Sequence, residues 1–206
     1  MGRLLENHSM SILQQHQLPV IPFEVTSSPE ETRQMGTKLS FPVVVKALVP
    51  LGGRGKGGVV KFCKILEEAV SATDELIGQT FKHFPINQVL ISPTVDIKTE
   101  WFLSITYDNN EQKPIILFTT EGGVDVETIL HDSPDKLTTQ LVDIELGLRM
   151  FEARELCERA GVPNHLLNKV SFVITQVYQA FVANDARMVE INPIVVTADD
   201  KILLPT

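Results

Sequence analysis

The stretch VVKALVPLGGRGKGGVV, residues 44–60, packs five glycines into the seven positions 52–58, divided only by Arg54 and Lys56. Glycine gives up more backbone freedom on folding than any other residue, so a folded domain keeps such a run where the backbone must take unusual angles or approach a ligand. Two cations inside the run point to an anionic ligand. The flanks FPVVVKAL (41–48) and VVKF (59–62) are β-branched, apolar and of strand length. A flexible linker would have polar, structure-poor neighbours instead. The context therefore favours a phosphate cradle over a plain turn.

The common phosphate loops fit poorly. A Walker A loop ending at Gly55-Lys56 needs glycine at 50 and Ser or Thr at 57, where the chain has Pro50 and Gly57. Gly53, Gly55 and Gly58 satisfy G-x-G-x-x-G, but the dinucleotide motif must open a helix, and Val59-Val60 continue as a strand. The kinase loop lies between two strands and matches through Val60. Its lysine, however, follows the loop, and the chain has no His-Arg-Asp or Asp-Phe-Gly sequence. What remains is a nucleotide loop between strands, with Lys46 on the strand before it.

The 206 residues allow one domain or two small lobes, and 43% hydrophobic with 21% charged residues is an ordinary globular balance. No apolar run approaches ~18 residues, so no membrane span is expected. The N-terminus MGRLLENHSM has no signal-peptide core, and the expected location is the cytoplasm, or a mitochondrial matrix for a processed eukaryotic chain. Cys63 and Cys157 sit singly in helix-like sequence and read as buried thiols of a reducing compartment. The net charge of −8 argues against nonspecific nucleic-acid binding. An anion site must then be a local cluster of cations such as Lys46, Arg54, Lys56 and Lys61.

Along the chain, Leu4, Leu5, His8, Ile12 and Leu13 form one face of a helix over 3–16, ended by Pro19 and Pro22. IPFEV is a short strand, and SSPEETRQMGTKL is a helix with a serine cap and an early proline. KILEEAVSATDELIG is an amphipathic helix closed by Gly78, and NQVLI (87–91) is a strand. TEWFLSITYD and KPIILFTTEGG form a hairpin around Asn109-Asn110. VDVETILHD and SPDKLTTQLVDI read as short helical or irregular pieces. RMFEARELCERAG is a helix closed by Gly161. The longest helix follows, with Leu166, Val170, Ile174, Val177 and Phe181 along one face. RMVEINPIVV and KILL are closing strands joined at Asp199-Asp200. The order predicts an α+β fold with mixed sheets in two lobes. One covers about 18–92 with the loop; the other covers about 94–206 and takes back the N-terminal helix.

Two further features could carry chemistry. In VEINPIVV (189–196), Glu190 and Asn192 are two apart on a strand and face the same side. A carboxylate and an amide oxygen suit a hard cation such as Mg²⁺, although from the spacing alone a solvent-facing polar stripe is favoured. In TEGGVDV (120–126), paired glycines either approach a substrate or turn the chain, and taken alone the turn is favoured.

Taken together, VVKALVPLGGRGKGGVV, TEGGVDVE and VEINPIVVT resemble the β subunit of succinyl-CoA synthetase over nearly the whole chain, in its ATP-grasp portion. Citrate- and malate-CoA ligases are related. The resemblance implies an ATP-grasp fold whose two α+β lobes clamp ATP or GTP with Mg²⁺. It places Lys46 at the phosphates, with Gly53, Arg54 and Gly55 over them. Glu100 falls on a nucleotide-site glutamate, Asn192 on a metal ligand and Glu190 on the acidic position beside it. Such enzymes make an acyl phosphate of a small carboxylic acid, pass the phosphoryl group to a histidine and form a CoA thioester. The implied partner is an α-like subunit carrying the phosphohistidine and CoA site, with no nucleic acid or membrane involved.

The chain departs from the family pattern in several places. Ser92 stands where the adenine hinge carries a glutamate. Thr206 falls on a metal-binding aspartate, and the family's CoA-ligase domain lies outside these 206 residues. None of His8, His16, His83, His131 or His165 sits in a glycine-rich loop that could replace the phosphohistidine. The expectation is a ligase domain inactive alone; the competing reading is a non-catalytic binding or assembly module of the same fold. A C–N-bond-forming ATP-grasp ligase fits less well, since GGRGKGG followed by EGGVDV points to the CoA branch.

Overall fold

The computed structural model describes residues 3–51, 54–55, 57–122 and 136–205. Gly53, Lys56, His131, Thr206 and the segment VDVETILHD lie outside the described residues. The chain forms two compact units, one taking in residues 3–12 and 21–95, the other 13–20 and 96–205.

The first unit contains most of α1 (Glu6–Gln15), then β1 (Glu24–Thr26), α2 (Pro29–Gln34), β2 (Val43–Ala47), β3 (Val60–Cys63), α3 (Leu66–Leu76), β4 (Thr80–Phe81), β5 (Phe84–Pro85) and β6 (Val89–Pro93). Its sheet runs β1-β6-β2-β3. Strand β2 alternates strictly. Val43, Val45 and Ala47 are buried with Ala69, Ala72 and Leu76 of α3, which leaves Val44 and Lys46 on the opposite face. Helix α2 starts where the sequence places it. The Ser28 hydroxyl accepts from the Glu31 amide at 3.2 Å, the Glu31 carboxylate accepts from the Ser27 amide at 2.8 Å, and Pro29 opens the first turn.

The second unit contains β7 (Ile97–Asp108), β8 (Lys113–Thr119), β9 (Thr138–Leu141), α4 (Met150–Arg159), α5 (Leu167–Ala183), β10 (Val189–Thr197) and β11 (Ile202–Leu203). Its sheet runs β11-β10-β7-β8-β9. The β7–β8 turn is held by the Asp108 carboxylate, which accepts from the Asn110 and Glu111 amides at 2.9 and 2.8 Å. Helix α5 buries Val170, Ile174, Val177 and Phe181, as its periodicity predicts. Tyr107 meets Phe181 at 5.3 Å between ring centres, so α5 covers the β7 face that carries Trp101, Leu103, Ile105 and Tyr107.

Several expectations are corrected. The sheets are not mixed: among the described residues every strand ladder is antiparallel, and the parallel link is the isolated Val20–Leu204 bridge. Residues 138–141 form an edge strand, β9, rather than an irregular piece. Its alternation of half-buried and exposed residues leaves no apolar run to read. The β4–β5 hairpin turns on Lys82 and His83 at φ 46° and 73°, without the glycine or asparagine that normally signals such a turn. Cys63 ends a strand, not a helix. On α1 the buried residues are Met10 and Leu13, while Leu4 and His8 are exposed. Residues 3–12 fall within the first unit, where Glu6 meets Arg54.

Candidate functional site

The described cations of the glycine loop and its strand gather around one carboxylate in the first unit. Lys46 pairs with Leu90 on one side and Val60 on the other, and its side chain points away from the helix-covered core. Ser92 pairs with Val44 and so shares the Lys46 face, where it is buried. Arg54 donates to the Ala47 carbonyl at 3.2 Å and is ion-paired with Glu6. The Lys46 ammonium is pushed below the ordinary lysine range by burial, with the Glu6 charge opposing that shift and Arg54 adding to it. Nothing in the sequence marks Glu6, since an acid in the first turn of a helix reads as a partner of the helix dipole. Lys61 does not join the cluster. It pairs with Val45, on the other face, and is ion-paired with Glu75 of α3.

The loop glycines separate by cause. A β-carbon on Gly57 would stand 2.2 Å from Cε2 of Phe81, and Gly58 has φ +74°. Around Gly55 there is nothing within 4 Å among the described residues, and its φ is not positive. The fold therefore requires glycine at 57 and 58 and leaves 55 unexplained.

In the second unit, β10 pairs with β7 through a bulge. Glu190 lies opposite Ser104 and Ile191 opposite Leu103; pairing resumes with Ile194 opposite Trp101 and Val195 opposite Glu100. Asn192 and Pro193 thus share one position across from Phe102. Paired residues lie on the same face, so Glu100 and Glu190 share the face that α5 does not cover, with Asn192 at the bulge between their levels. Glu190 and Asn192 are exposed, Ile191 between them is buried and Glu100 is half-buried. The oxygens of Glu190 and Asn192 are therefore available to a hard cation. Among the described residues there is no group of three His, Cys, Asp or Glu side chains able to hold a metal ion.

On the opposite face, a cavity of about 260 Å³ is lined by Trp101, Thr120, Pro163, His165 and Asp200, among others. There the Asp200 carboxylate meets Lys98 and His165, each at 3.1 Å, so its charge is matched locally. The four described histidines are exposed or half-buried. No described helix is long and apolar enough to cross a membrane.

A glycine loop between two antiparallel strands beside a lysine strand, with a second antiparallel sheet bearing carboxylates and an amide, is the architecture of the ATP-grasp domain. Residues 3–196 match the family model of the ATP-grasp domain, and the chain belongs to that family. It is 35% identical to a succinate–CoA ligase [ADP-forming] subunit beta of Persephonella marina, over 97% of this chain and 53% of that protein. To the [GDP-forming] subunit beta of Thermus thermophilus it is 35% identical over the same shares. The chain spans about half the length of these curated relatives. Among solved structures it resembles a dinucleotide-forming acetyl-coenzyme A synthetase of Ca. Korarchaeum cryptofilum, with a TM-score of 0.80, 19% identity and coverage of 98% of this chain and 90% of that one. ATP citrate lyase from Methanothrix soehngenii follows the same fold, with a TM-score of 0.67, 19% identity and coverage of 95% and 48%.

Proposed function

We propose that the chain is the nucleotide-binding portion of an acid-CoA ligase of the succinate–CoA ligase β type. The observation that carries this reading is Gly55. It is a glycine that neither packing among the described residues nor backbone angle demands, next to Arg54, whose charge acts on the half-buried Lys46. A ligand lying against the loop backbone supplies the missing reason. In the first unit, Lys46 and Arg54 are the cations for the phosphates of ATP or GTP, and Gly53 and Gly55 offer backbone N–H groups to them. Ser92 lies on the Lys46 face at the position assigned to the base. In the second unit, Asn192 and Glu190 are the oxygen donors for Mg²⁺, and Glu100 is the further nucleotide contact.

The bound nucleotide supplies the phosphoryl group, and Mg²⁺ offsets its charge. The chain's own residues hold and orient the phosphates, and Lys46 keeps a positive charge in a desolvated place where it acts strongly. A small carboxylic acid, CoA and an α-like partner subunit with a phosphohistidine complete the proposed reaction. The relatives' names favour this reading over a non-catalytic assembly module. Calorimetric titration with non-hydrolysable ATP and GTP analogues, with and without Mg²⁺, is the test. Micromolar to millimolar binding that Lys46→Ala weakens at least tenfold supports the reading (about 1.4 kcal/mol). Binding unaffected by Lys46→Ala removes it.

A further inference from the structure

We infer that Gly122 is a positioning residue for Glu100, holding the Glu100–Trp101 peptide by direct backbone contact. A β-carbon on Gly122 would stand 2.3 Å from the Glu100 carbonyl oxygen, 2.4 Å from its carbonyl carbon and 2.7 Å from the Trp101 nitrogen. All three atoms belong to one peptide plane. A flexible side chain could swing aside, but a peptide inside a ladder cannot. On one edge, Glu100 and Trp101 pair with Val195 and Ile194. The Trp101 ring is buried and meets Phe118 edge-on at 6.1 Å. On the other edge, the β8 ladder ends at Phe102–Thr119, and Gly122 takes the place beyond it.

The residues leading to Gly122 are themselves tied down. The Thr119 hydroxyl accepts from the Glu121 amide at 3.1 Å, Thr120 donates to the Ala160 carbonyl at 3.0 Å, and Glu121 is ion-paired with Lys136 at 2.7 Å. Gly122 has no positive φ, so a left-handed turn position is not what it satisfies. Close approach is the requirement, and a side chain there would move the Glu100 backbone. Small displacements of a positioned group are costly to binding and catalysis. The inference rests on the reading of Glu100 as a nucleotide contact.

The test uses Trp101, the chain's one tryptophan, as an internal reporter. Gly122→Ala should shift its emission to the red and weaken binding of a non-hydrolysable ATP analogue on the order of tenfold. In a Glu100→Ala background the same change should leave the affinity within about twofold, because the displaced group is gone. Unchanged emission with unchanged affinity overturns the contact. An equal loss in both backgrounds overturns the positioning role and leaves Gly122 a packing residue. If the wild-type chain binds no analogue, or Glu100→Ala binds as wild type, the nucleotide reading of Glu100 falls and takes this role with it; the emission shift still reports separately on the contact. If Gly122→Ala does not fold, hydrogen exchange on the wild-type chain decides. Joint protection of the Trp101 and Gly122 amides on analogue binding supports the coupling, and protection of Trp101 alone overturns it.

Discussion

Glu6, in the first turn of the N-terminal helix, is ion-paired with Arg54 of the glycine loop, with side chains only 14% and 18% exposed. The same carboxylate supports the charge on Lys46. One acid thus faces two cations assigned to phosphate. Glu6→Gln keeps the shape and removes the charge. Stability should fall by roughly 1–3 kcal/mol, less than for a fully buried pair because some solvent reaches this one. Affinity for a phosphate-bearing ligand should rise, since a competitor for both cations is gone. Thermal melts show both effects: a lower midpoint without ligand and a larger upward shift with an ATP analogue than in wild type. An unchanged midpoint would count against the pair.

The loop glycines give a separation of fold from function. Gly57→Ala should destabilise by about 1–3 kcal/mol, because the new methyl meets the buried Phe81 ring. Gly58→Ala should cost about 1–2 kcal/mol through its positive φ. Gly55→Ala should change stability by less than about 0.5 kcal/mol and yet reduce analogue affinity. Denaturant midpoints set against titrations decide this. A large stability loss at Gly55, or full affinity, would contradict its assignment.

Lys46 gives a pH dependence whose sign follows from its burial. Its folded-state pKa lies below that of a free lysine, chiefly through desolvation. The unfolded chain therefore holds this proton to higher pH than the folded one. Stability rises as pH climbs from the folded-state value towards the ordinary one, and is lost as pH falls back through the folded-state value. Anion affinity runs the other way, since the ammonium disappears over that same interval. Analogue titrations at stepped pH should show affinity falling before an ordinary lysine would titrate, and Lys46→Arg should flatten the profile. A flat wild-type profile would remove Lys46 from the phosphate site.

Both cysteines are free and buried, and burial pushes the Cys157 thiol up to about 11 and the Cys63 thiol above its ordinary value. Thiolate is the reactive form, so at pH 8 Cys157 should react with an aromatic disulfide reagent more than about a hundredfold more slowly in the folded protein than in the unfolded one. Stoichiometric labelling of both thiols within minutes under native conditions would contradict this.

At the bulge, Asn192→Asp should tighten Mg²⁺ binding several-fold and Glu190→Gln should weaken it, because affinity for a hard cation follows the charge of its ligands. Magnesium titrations in the presence of an ATP analogue distinguish the two. No effect from either change would make the pair the solvent-facing stripe that its spacing also allows.

Local rules made much of this protein legible from sequence. The i, i+4 stripe of Leu166 to Phe181 specified the long helix, and the Ser28–Pro29 start specified α2. These are properties of neighbouring residues, and helix or strand periodicity alone converts them into faces. Tertiary structure decided what depends on residues far apart in the chain. Edge strand β9 acquires its identity from pairing with β8, because its own residues carry no apolar run. Lys61 leaves the cation cluster because its register opposite Val45 turns it to the helix side. The register that sets Glu190 opposite Ser104 puts Glu190 and Glu100 on one face, a relation that parity along β10 alone does not give. The glycines of TEGG read as a turn in sequence; the close approach of Gly122 to the Glu100 peptide exists because β7 runs on beside the end of β8. Likewise, nothing local marks Glu6 as the counter-charge of Arg54 and Lys46, since a Coulomb interaction follows distance in space and is blind to separation along the chain.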